Sequence, residues 1–335
     1  MSRGRRERRL VALTDPLVVR NLALKNRLVL PPMQTGLASE RGEVTEQLVE
    51  HYTRRAKGPG LVIIEHSYVS KEGQLSKNQL GIYDDSLVVG LTRLVESVHK
   101  SKVPIAIQIN HAGRLASSKI TGIQPVAPSP VPASEEAETP RELSVQEIKI
   151  IVERFVKGAR RAVRAGFDAL EVHGAHGFLL NQFLSPLANR RTDRYGKDLE
   201  ARMRFPLEVV RKVRAEVGNL PLFYRLGAHD LKPNGLTLAD SKKVAVKLAS
   251  EGVDVIDVSG GLSGSRPLGT KGEGYFVHLA EGIKSVVKIP VIAVGGIVTA
   301  AFADSVVKDG KADLVAVGRA MLNDPDWAAK AIKSL

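Results

Sequence analysis

The stretch Pro290-Val291-Ile292-Ala293-Val294-Gly295-Gly296-Ile297 decides the fold. Its first five residues form a short apolar run, two glycines follow, and the segment Thr299–Lys308 then shows helical periodicity. A run that is apolar on both faces is typical of a parallel strand covered on both sides, because a half-exposed strand alternates apolar and polar residues. A second such run, Asp313–Val317, comes after the helix. This part of the chain is therefore predicted to be a strand, a crossover helix and a parallel strand.

The same unit recurs along the whole chain. The candidate strands are Arg27–Pro31, Gly60–His66, Val103–Ile109, Asp168–His173, Leu222–Leu226, Val253–Val258, Pro290–Val294 and Asp313–Val317. Stretches with helical periodicity lie between them, for example Glu46–Lys57, Ser86–Lys100, Ser144–Arg164, Leu199–Val217, Leu238–Ser250 and Thr299–Lys308. Eight alternating units predict a closed (β/α)₈ TIM barrel of the α/β class. A doubly wound open sheet is the alternative, and the lack of G-x-G-x-x-G after an early strand disfavours it.

The length and the connections indicate one domain. A chain of 335 residues fits a single α/β barrel, which we place at residues 11–335, after a basic flexible arm at residues 1–10. Two connections are long, namely Ala112–Glu142 after the third strand and Gly174–Asp198 after the fourth. Loops that follow barrel strands gather at the catalytic mouth, so we expect both to shape the site.

Composition excludes several classes of site. The chain has no cysteine, which excludes disulfides, thiolate metal sites and a cysteine nucleophile, and we expect no metal. The first residues lack the apolar core of a secretory signal, and no apolar run is long enough to cross a bilayer, so we expect a cytoplasmic protein without a membrane contact. The formal net charge of +13 attracts polyanions, including phosphate-bearing ligands and RNA. We expect a small-molecule substrate rather than a nucleic acid.

The ends of the last two strands predict a phosphate site. Gly295 and Gly296 follow the seventh strand, and Gly318 and Arg319 follow the eighth. Glycines let backbone amides approach an anion, a helix N-terminus adds partial positive charge, and an arginine can bind phosphate oxygens with two N–H groups. Glycine at such a turn also has purely steric uses, so the argument depends on both strand ends together.

The fourth strand ends in two histidines, His173 and His176. Two imidazoles three residues apart can direct their N–H groups at one oxygen and polarise it. They could also be metal ligands, but no third ligand stands at a familiar spacing. A pair of histidines in a loop with ordinary hydrogen-bond partners is the remaining interpretation.

Single polar residues stand late in two apolar strands, Gln108 in the third and Arg225 in the fifth. A buried amide or guanidinium without a partner costs several kcal/mol, so a ligand with hydrogen-bond acceptors is expected opposite them. The polar edge of a flavin ring fits that description. A buried ion pair between Arg225 and Glu171 is the competing explanation for the arginine.

These residues resemble the old yellow enzymes, the FMN-dependent ene-reductases of the NADH:flavin oxidoreductase group, over nearly the whole chain. The matching motifs are Lys25-Asn26-Arg27 with Pro31-Pro32-Met33, Gln108 to Arg114, His173 to Phe178, Phe183 to Pro186 with Asn189, Arg191, Asp193, Arg194, Tyr195 and Gly196, and then Arg225, Gly295-Gly296 and Gly318-Arg319. The resemblance implies a flavoprotein oxidoreductase that takes hydride from NADPH or NADH, and a homo-oligomer, either a dimer or a tetramer.

The resemblance also implies a set of site residues. The cofactor-binding residues would be Pro31, Pro32, Met33, Gln34, His66, Gln108, Arg225, Gly295, Gly296, Gly318 and Arg319. The histidines His173 and His176 would be catalytic and would bind the carbonyl or nitro oxygen of the substrate, with Phe178 and Tyr68 as further substrate contacts. The reaction implied is reduction of the C=C bond of α,β-unsaturated carbonyl compounds, with quinones or nitro compounds as additional acceptors.

One position departs from the family. Relatives usually carry a tyrosine two residues after the second histidine, where it donates a proton to the substrate, and this chain has Phe178. The candidate donors in its place are Tyr68, Tyr275 and water. Three alternatives to the whole assignment stay open. The first is an FMN barrel like the tRNA-dihydrouridine synthases, which rely on a cysteine that this chain lacks. The second is a barrel like the phosphosugar isomerases, which would share only the phosphate site, and the third is a non-enzymatic barrel that binds a phosphorylated ligand.

Overall fold

Eight parallel strands close into a barrel in the computed structural model, which describes residues 10–335. The strands in chain order are β1 (Leu17–Val19), β2 (Leu22–Leu24), β3 (Leu28–Leu30), β4 (Leu61–Tyr68), β5 (Ile105–Asn110), β6 (Val126–Ala127), β7 (Arg141–Glu142), β8 (Ala169–Gly174), β9 (Leu222–Gly227), β10 (Val255–Ser259), β11 (Val291–Ala293) and β12 (Leu314–Ala316). The barrel consists of β3, β4, β5 and β8 to β12, and β12 pairs with β3 to close it. The (β/α)₈ prediction is confirmed, while residues 1–9 of the predicted arm lie outside the described part of the chain.

Helices surround the barrel. They are α1 (Glu46–Arg55), α2 (Val88–His99), α3 (Ser118–Thr121), α4 (Val145–Ala165), α5 (Leu179–Leu184), α6 (Leu199–Val217), α7 (Leu238–Ser250), α8 (Val277–Lys284), α9 (Ala300–Lys308), α10 (Arg319–Asn323) and α11 (Trp327–Lys333). The predicted bounds of α6 and α7 are confirmed to the residue. Helix α4 begins with the capping box of Ser144 and Glu147 and ends at Gly166 in the left-handed conformation, which satisfies backbone groups at both ends.

The amino ends of the barrel strands are tied together by a repeated aspartate. An aspartate stands just before each of β8, β10 and β12, namely Asp168, Asp254 and Asp313. Each carboxylate accepts a hydrogen bond from the backbone N–H of the first residue of the preceding barrel strand, which is β5, β9 or β11. The three distances are 2.8, 2.9 and 3.0 Å, in that order. A charge-assisted hydrogen bond of this kind contributes about 1.5–3 kcal/mol. The end of the barrel opposite the strand-end loops is thus built for stability.

The hairpin of β1 and β2 lies at this amino end. Its left-handed turn residue Arg20 pairs with Asp254, and its inward residues Leu22 and Leu24 are buried. A core hydrogen bond from the backbone N–H of Leu13 to the Asp304 carboxylate, at 2.9 Å, holds the preceding segment. The carboxyl end of the barrel is consequently the end that remains open to a ligand.

The two long connections pack on each other at the carboxyl end. Arg191, in the connection after β8, has a side chain that is 4% exposed and donates to the backbone oxygens of Pro128 and Leu143 in or next to the connection after β5. Asp193 holds the other side of the same guanidinium. Residues 126–127 and 141–142 of the first connection also pair as β6 and β7. The loops therefore form an ordered collar, here meaning residues 112–142 and 175–198, around the barrel mouth.

Between residues 10 and 335, no helix is both long enough and apolar enough to cross a membrane.

Candidate functional site

A cavity of 580 Å³ opens at the carboxyl ends of the barrel strands. Every predicted site residue except Tyr68 lines it: Pro31, Pro32, Met33, Gln34, His66, Gln108, His173, His176, Phe178, Arg225, Gly295, Gly296, Gly318 and Arg319. The other lining residues include Leu75, Leu115, Ser259, Arg266 and Tyr275. Its size is in the range of cofactor and ligand sites, and barrel enzymes place their active sites at this end.

Tyr68 lies outside this cavity. It is 1% exposed, and its ring stacks on Tyr83 with the ring centroids 5.0 Å apart. A Cβ on Gly42 would come within 2.7 Å of its hydroxyl, so the hydroxyl end is packed against backbone. The sequence-based suggestion that Tyr68 contacts the substrate has no support in this arrangement.

The cavity floor carries the two polar strand residues. Gln108 donates from its amide to Glu171 Oε1 at 2.7 Å. The Nε of Arg225 lies 3.3 Å from Asp257 Oδ2, so the ion-pair partner of the arginine is Asp257 and the pairing with Glu171 considered from the sequence is wrong. Arg225 and Asp257 stand side by side on β9 and β10, which are paired in register. The geometry of that contact leaves Arg225 Nε without a hydrogen bond.

Two carboxyl groups share this floor with one guanidinium. Glu171 and Asp257 are both fully buried. Burial first, and the charge of Asp257 second, raise the pKa of Glu171 to about 8, against the opposing effects of Arg225 and Gln108. Burial likewise raises the pKa of Asp257, while Arg225 acts in the opposite direction. At neutral pH Glu171 therefore holds its proton, and Arg225 lies opposite the neighbouring Asp257.

The predicted phosphate site lies at another edge of the cavity. Gly295 and Gly296 have φ values of 126° and 69°, which an L residue rarely adopts. A Cβ on Gly318 would lie 2.7 Å from the sulfur of Met33, so a side chain there would displace the wall of the cavity. The guanidinium of Arg319 lines the cavity and donates from Nη2 to the hydroxyl of Tyr275 at 3.1 Å.

These features fit FMN. The glycine turns and Arg319 supply a small, cationic cradle for a phosphate, and the strand ends supply a slot for a ring. The largely buried Arg225 lines the same cavity, so its guanidinium can donate a hydrogen bond to an acceptor on the edge of a bound ring. The cavity thus carries three arginines, Arg225, Arg266 and Arg319, among apolar and neutral polar groups.

The two histidines of β8 and its loop face the same cavity. His173 is 1% exposed, and its ring centroid lies 5.1 Å from that of His176 at an interplanar angle of 75°. His176 reaches this position because its backbone is left-handed, with φ of 56°, rather than through a helical turn. Its Nε2 lies 2.7 Å from Ser259 Oγ. Burial is the largest cause that lowers the pKa of both imidazoles well below the usual value, so both rings are neutral at physiological pH.

An aromatic cluster completes this side. The ring of Phe178 lies 4.5 Å from that of His173 and 5.0 Å from that of His66, measured between centroids. It also packs on a small apolar cluster that includes Ala112 and Leu115. The position that carries a tyrosine in relatives is therefore an apolar wall beside two imidazoles.

Several residues of the site were not found from the sequence. Glu65 accepts the backbone N–H of Thr35 at 2.9 Å and contacts the hydroxyl of Tyr52, and so fixes the segment of Met33 and Gln34. Three further residues contact predicted site residues from other elements: Asp257 pairs with Arg225, Ser259 contacts His176, and Gln79 contacts His66. Glu65 and Asp257 could have been found from the sequence, because each is a polar residue inside an otherwise apolar strand. Gln108 was identified by the same feature.

The described residues contain no group of three or more histidine, aspartate or glutamate side chains placed to hold a metal ion. The two site histidines are instead surrounded by aromatic rings, Ser259 and the cavity.

Comparison with known proteins places the chain in a family. A sequence profile of the NADH:flavin oxidoreductase / NADH oxidase family matches residues 12–335. The chain is 46% identical over 319 residues to an NADH oxidase of Thermoanaerobacter brockii, covering 93% of this chain and 49% of that protein. It is 41% identical over 325 residues to an NADPH dehydrogenase of Geobacillus sp. strain WCH70, covering 96% of this chain and 94% of that protein. It thus spans about half of the first relative and nearly all of the second.

Comparison with solved structures supports the same family assignment. An old yellow enzyme homologue from Zymomonas mobilis matches with a TM-score of 0.84 at 27% identity, over 97% of this chain and 93% of that one. The predicted class of flavin oxidoreductase and the FMN cofactor follow from the family and are confirmed. The chain belongs to the NADH:flavin oxidoreductase / NADH oxidase family, the group of the old yellow enzymes.

Proposed function

We propose that this protein uses FMN and NAD(P)H to reduce the C=C bond of α,β-unsaturated carbonyl compounds. The observation that carries the proposal is the pair of neutral imidazoles, His173 and His176, which line the same cavity as the residues that fit the flavin. A neutral imidazole can donate an N–H to an oxygen that gains negative charge, and two such donors aimed at one oxygen favour the charged form.

Different residues of the cavity have different roles in the proposed reaction. Bound FMN would take hydride from the nicotinamide and supply it to the substrate. Arg225 would place positive charge beside the bound ring, and the proton held by Glu171 keeps that carboxyl group from cancelling the charge. His173 and His176 bind the substrate oxygen and orient the double bond. Phe178 and Leu115 cover the site with apolar surface, which excludes water.

Quinones and nitro compounds form a second class of proposed acceptors. Both present an oxygen to the histidine pair, and their reduction does not require a proton on carbon. The observation that favours them is Phe178, because the site has no hydroxyl at the position where relatives carry a tyrosine.

The test measures flavin content and acceptor reduction separately. We expect purified protein to be yellow, with stoichiometric FMN released on denaturation and with NADH or NADPH consumed in the presence of an enone. The variant in which His173 and His176 are both replaced by alanine should retain FMN but lose about 10²–10³-fold or more in enone reduction, the range for lost oxyanion donors. The matched control is His278→Ala, an exposed histidine on α8 outside the cavity.

The outcomes separate the alternatives. Protein without FMN would overturn the proposal and favour a barrel that binds some other phosphorylated ligand. Protein with FMN that reduces no enone, quinone or nitro compound, yet acts on an RNA substrate, would favour the tRNA-dihydrouridine synthase alternative. Full enone reduction by the double alanine variant would show that the histidine pair is not the oxygen site.

The assembly and location of the protein stay predictions. A homo-oligomer, either a dimer or a tetramer, is proposed from the resemblance and is tested by analytical ultracentrifugation of the purified protein. A cytoplasmic location is tested by fractionation of cells that express the tagged chain. The choice between NADH and NADPH is read from the ratio of kcat/KM for the two donors.

A further inference from the structure

His66 lies beside Phe178, the position at which the site lacks a hydroxyl. It belongs to β4, lines the cavity and is 7% exposed. Its ring centroid is 5.0 Å from that of Phe178 and 6.1 Å from that of His173. A substrate held by His173 and in contact with Phe178 would therefore also lie against His66.

The hydrogen bonds around His66 decide which ring nitrogen carries the proton. Gln79 Oε1 accepts the backbone N–H of Leu75 at 2.7 Å, which assigns the other end of the amide as the NH₂ group. That Nε2 lies 2.9 Å from His66 Nδ1, 3.1 Å from the backbone oxygen of His66 and 3.3 Å from the side-chain oxygen of Asn110. The nitrogen of an amide cannot accept a hydrogen bond, so towards Nδ1 it can act only as the donor. Nδ1 must then accept, so the proton of the neutral ring is on Nε2. Since Nδ1 is turned to the buried Gln79, Nε2 is the nitrogen on the cavity side.

The tyrosines suggested as donors are placed elsewhere. Tyr68 is stacked on Tyr83 outside the cavity. Tyr275 lines the cavity, but its hydroxyl donates to the backbone oxygen of Ser265 at 3.0 Å and accepts from Arg319, so it belongs to the phosphate edge. The hydroxyl of Ser259 is held by His176. Among the described residues in contact with Phe178, His66 is the one with a cavity-side N–H and no assigned role in binding the substrate oxygen.

We propose that His66 is a catalytic residue that donates its Nε2 proton to the α-carbon of the substrate, in place of the absent tyrosine. The proposal rests on the proposed reduction of C=C bonds. Hydride, with two electrons, adds to the β-carbon, and the former π pair moves to form an enolate whose oxygen is held by His173 and His176. That electron pair then forms the new C–H bond with the Nε2 proton. The ring, left with its electron pair on Nε2, regains a proton from water at the cavity mouth.

The surroundings suit this step. Burial lowers the pKa of His66 to about 4, with Arg225 adding to the effect, so the resting ring is neutral and holds the single proton described above. The α-carbon of an enolate is a stronger base than a deprotonated imidazole, so the transfer runs towards carbon. Gln79 acts as a positioning residue, because its N–H donated to Nδ1 stabilises the electron-rich ring that remains.

The kinetic test compares two acceptors in the FMN-loaded enzyme. His66→Ala should lower enone reduction about 10²-fold or more, the usual effect of losing a general acid, and should lower quinone reduction far less, because quinone oxygens take their protons from water. The double variant His66→Ala, Phe178→Tyr should recover enone reduction by at least 10-fold, since it restores a hydroxyl beside the vacated position. The matched control His51→Ala removes a histidine outside the cavity and should leave the enone-to-quinone ratio unchanged.

A second measurement does not depend on turnover. In protein labelled with ¹⁵N-histidine, the signal that disappears in His66→Ala should show a protonated Nε2 and an unprotonated Nδ1 at pH 7. A proton on Nδ1, or an equal fall of both acceptors in His66→Ala, would overturn the proposal. Failure of the proposed function looks different, because the unmodified enzyme would then reduce quinones but no enone, whatever the protonation of His66.

Discussion

Replacement of Glu171 by glutamine tests the charge balance of the barrel floor. Burial and the nearby Asp257 raise the pKa of Glu171 from its ordinary 4.5 to about 8. The folded protein therefore binds one more proton than the unfolded chain between about pH 4.5 and pH 8. Stability from this group is fully present below the lower value and is lost as the pH rises through the upper one. Glutamine has the same shape, keeps the acceptor for Gln108 and cannot ionise.

The magnitude follows from the pKa shift. Each pKa unit corresponds to about 1.4 kcal/mol, so the full shift of Glu171 amounts to about 5 kcal/mol of unfolding free energy. The titration of Glu171 is coupled to that of Asp257, so we expect the single substitution to restore about 3–5 kcal/mol. We expect Glu171→Gln to gain this much stability relative to the unmodified protein between pH 5 and pH 9. With an unfolding entropy of about 2.1 cal/mol/K per residue, the gain appears as a relative rise in Tm of about 4–7 °C.

The assay is thermal and denaturant unfolding of both proteins at several pH values, with FMN in excess. The FMN dissociation constant is measured at each pH so that its contribution to the unfolding free energy can be subtracted. His66 and His111, whose pKa values are lowered to about 4 by burial, give an opposite slope between about pH 4 and 6.5 that is common to both proteins and cancels in the difference. Glu153→Gln, an exposed control, should run parallel to the unmodified protein. Parallel curves for Glu171→Gln itself would refute the reasoning.

Three further variants test other parts of the structure. Arg319→Ala should weaken FMN binding about 10–100-fold, the value of one or two charge-assisted hydrogen bonds, measured by quenching of flavin fluorescence. Gly318→Ala should also lower FMN occupancy, because its Cβ would lie 2.7 Å from the sulfur of Met33; the flavin released per chain reports this. Asp254→Asn should lower the unfolding free energy by about 1–3 kcal/mol with unchanged kcat, because it acts at the end of the barrel opposite the site.

Each of these variants has a control. Arg160→Ala removes an exposed arginine outside the cavity and should leave FMN affinity unchanged, so an equal loss in both would mean that Arg319 acts through net charge alone. Gly90→Ala on α2 adds a Cβ far from the flavin site and should keep full FMN occupancy. Asp309→Asn changes an exposed carboxylate, and if it were as destabilising as Asp254→Asn, the strand-end hydrogen bond would not be the cause.

The barrel could be predicted because its strands are buried on both faces. Each strand is a short apolar run, and the helices between them have a distinct period, so all eight strands were located within a few residues of their observed bounds. The short elements gave no such signal. Helix α10 has five residues and β1 and β2 have three each, too few for a periodicity to appear. Their positions depend on contacts with distant parts of the chain, such as that between Arg20 and Asp254.

The part of the site that could be predicted consists of residues at strand ends, because the barrel fold brings these ends together. His173, Arg225 and Arg319 stand at the ends of different strands, and barrel closure alone places them around one cavity. Their partners could not be predicted in the same way. The ion pair of Arg225 is with Asp257 rather than Glu171, because Asp257 is its in-register neighbour on β10, whereas on β8 its in-register neighbour is His173 and Glu171 lies opposite Phe223. Tyr68 lies outside the cavity, and the register of β4 against β5 shifts between Ile64 and Ser67, just before this residue.

The arrangement of charge explains why these details matter for function. The cavity is lined by three cations, Arg225, Arg266 and Arg319, and by three neutral imidazoles, while Glu171 next to Gln108 holds its proton at neutral pH. A ligand that gains negative charge during the reaction thus meets donors and cations on every side, without a competing anion beyond the one that Arg225 already holds. Loss of the proton from Glu171 would place a second anion beneath the ring. The same proton therefore stabilises the fold and keeps the site fit for an anionic reaction state, which links protein stability and redox chemistry through a single buried group.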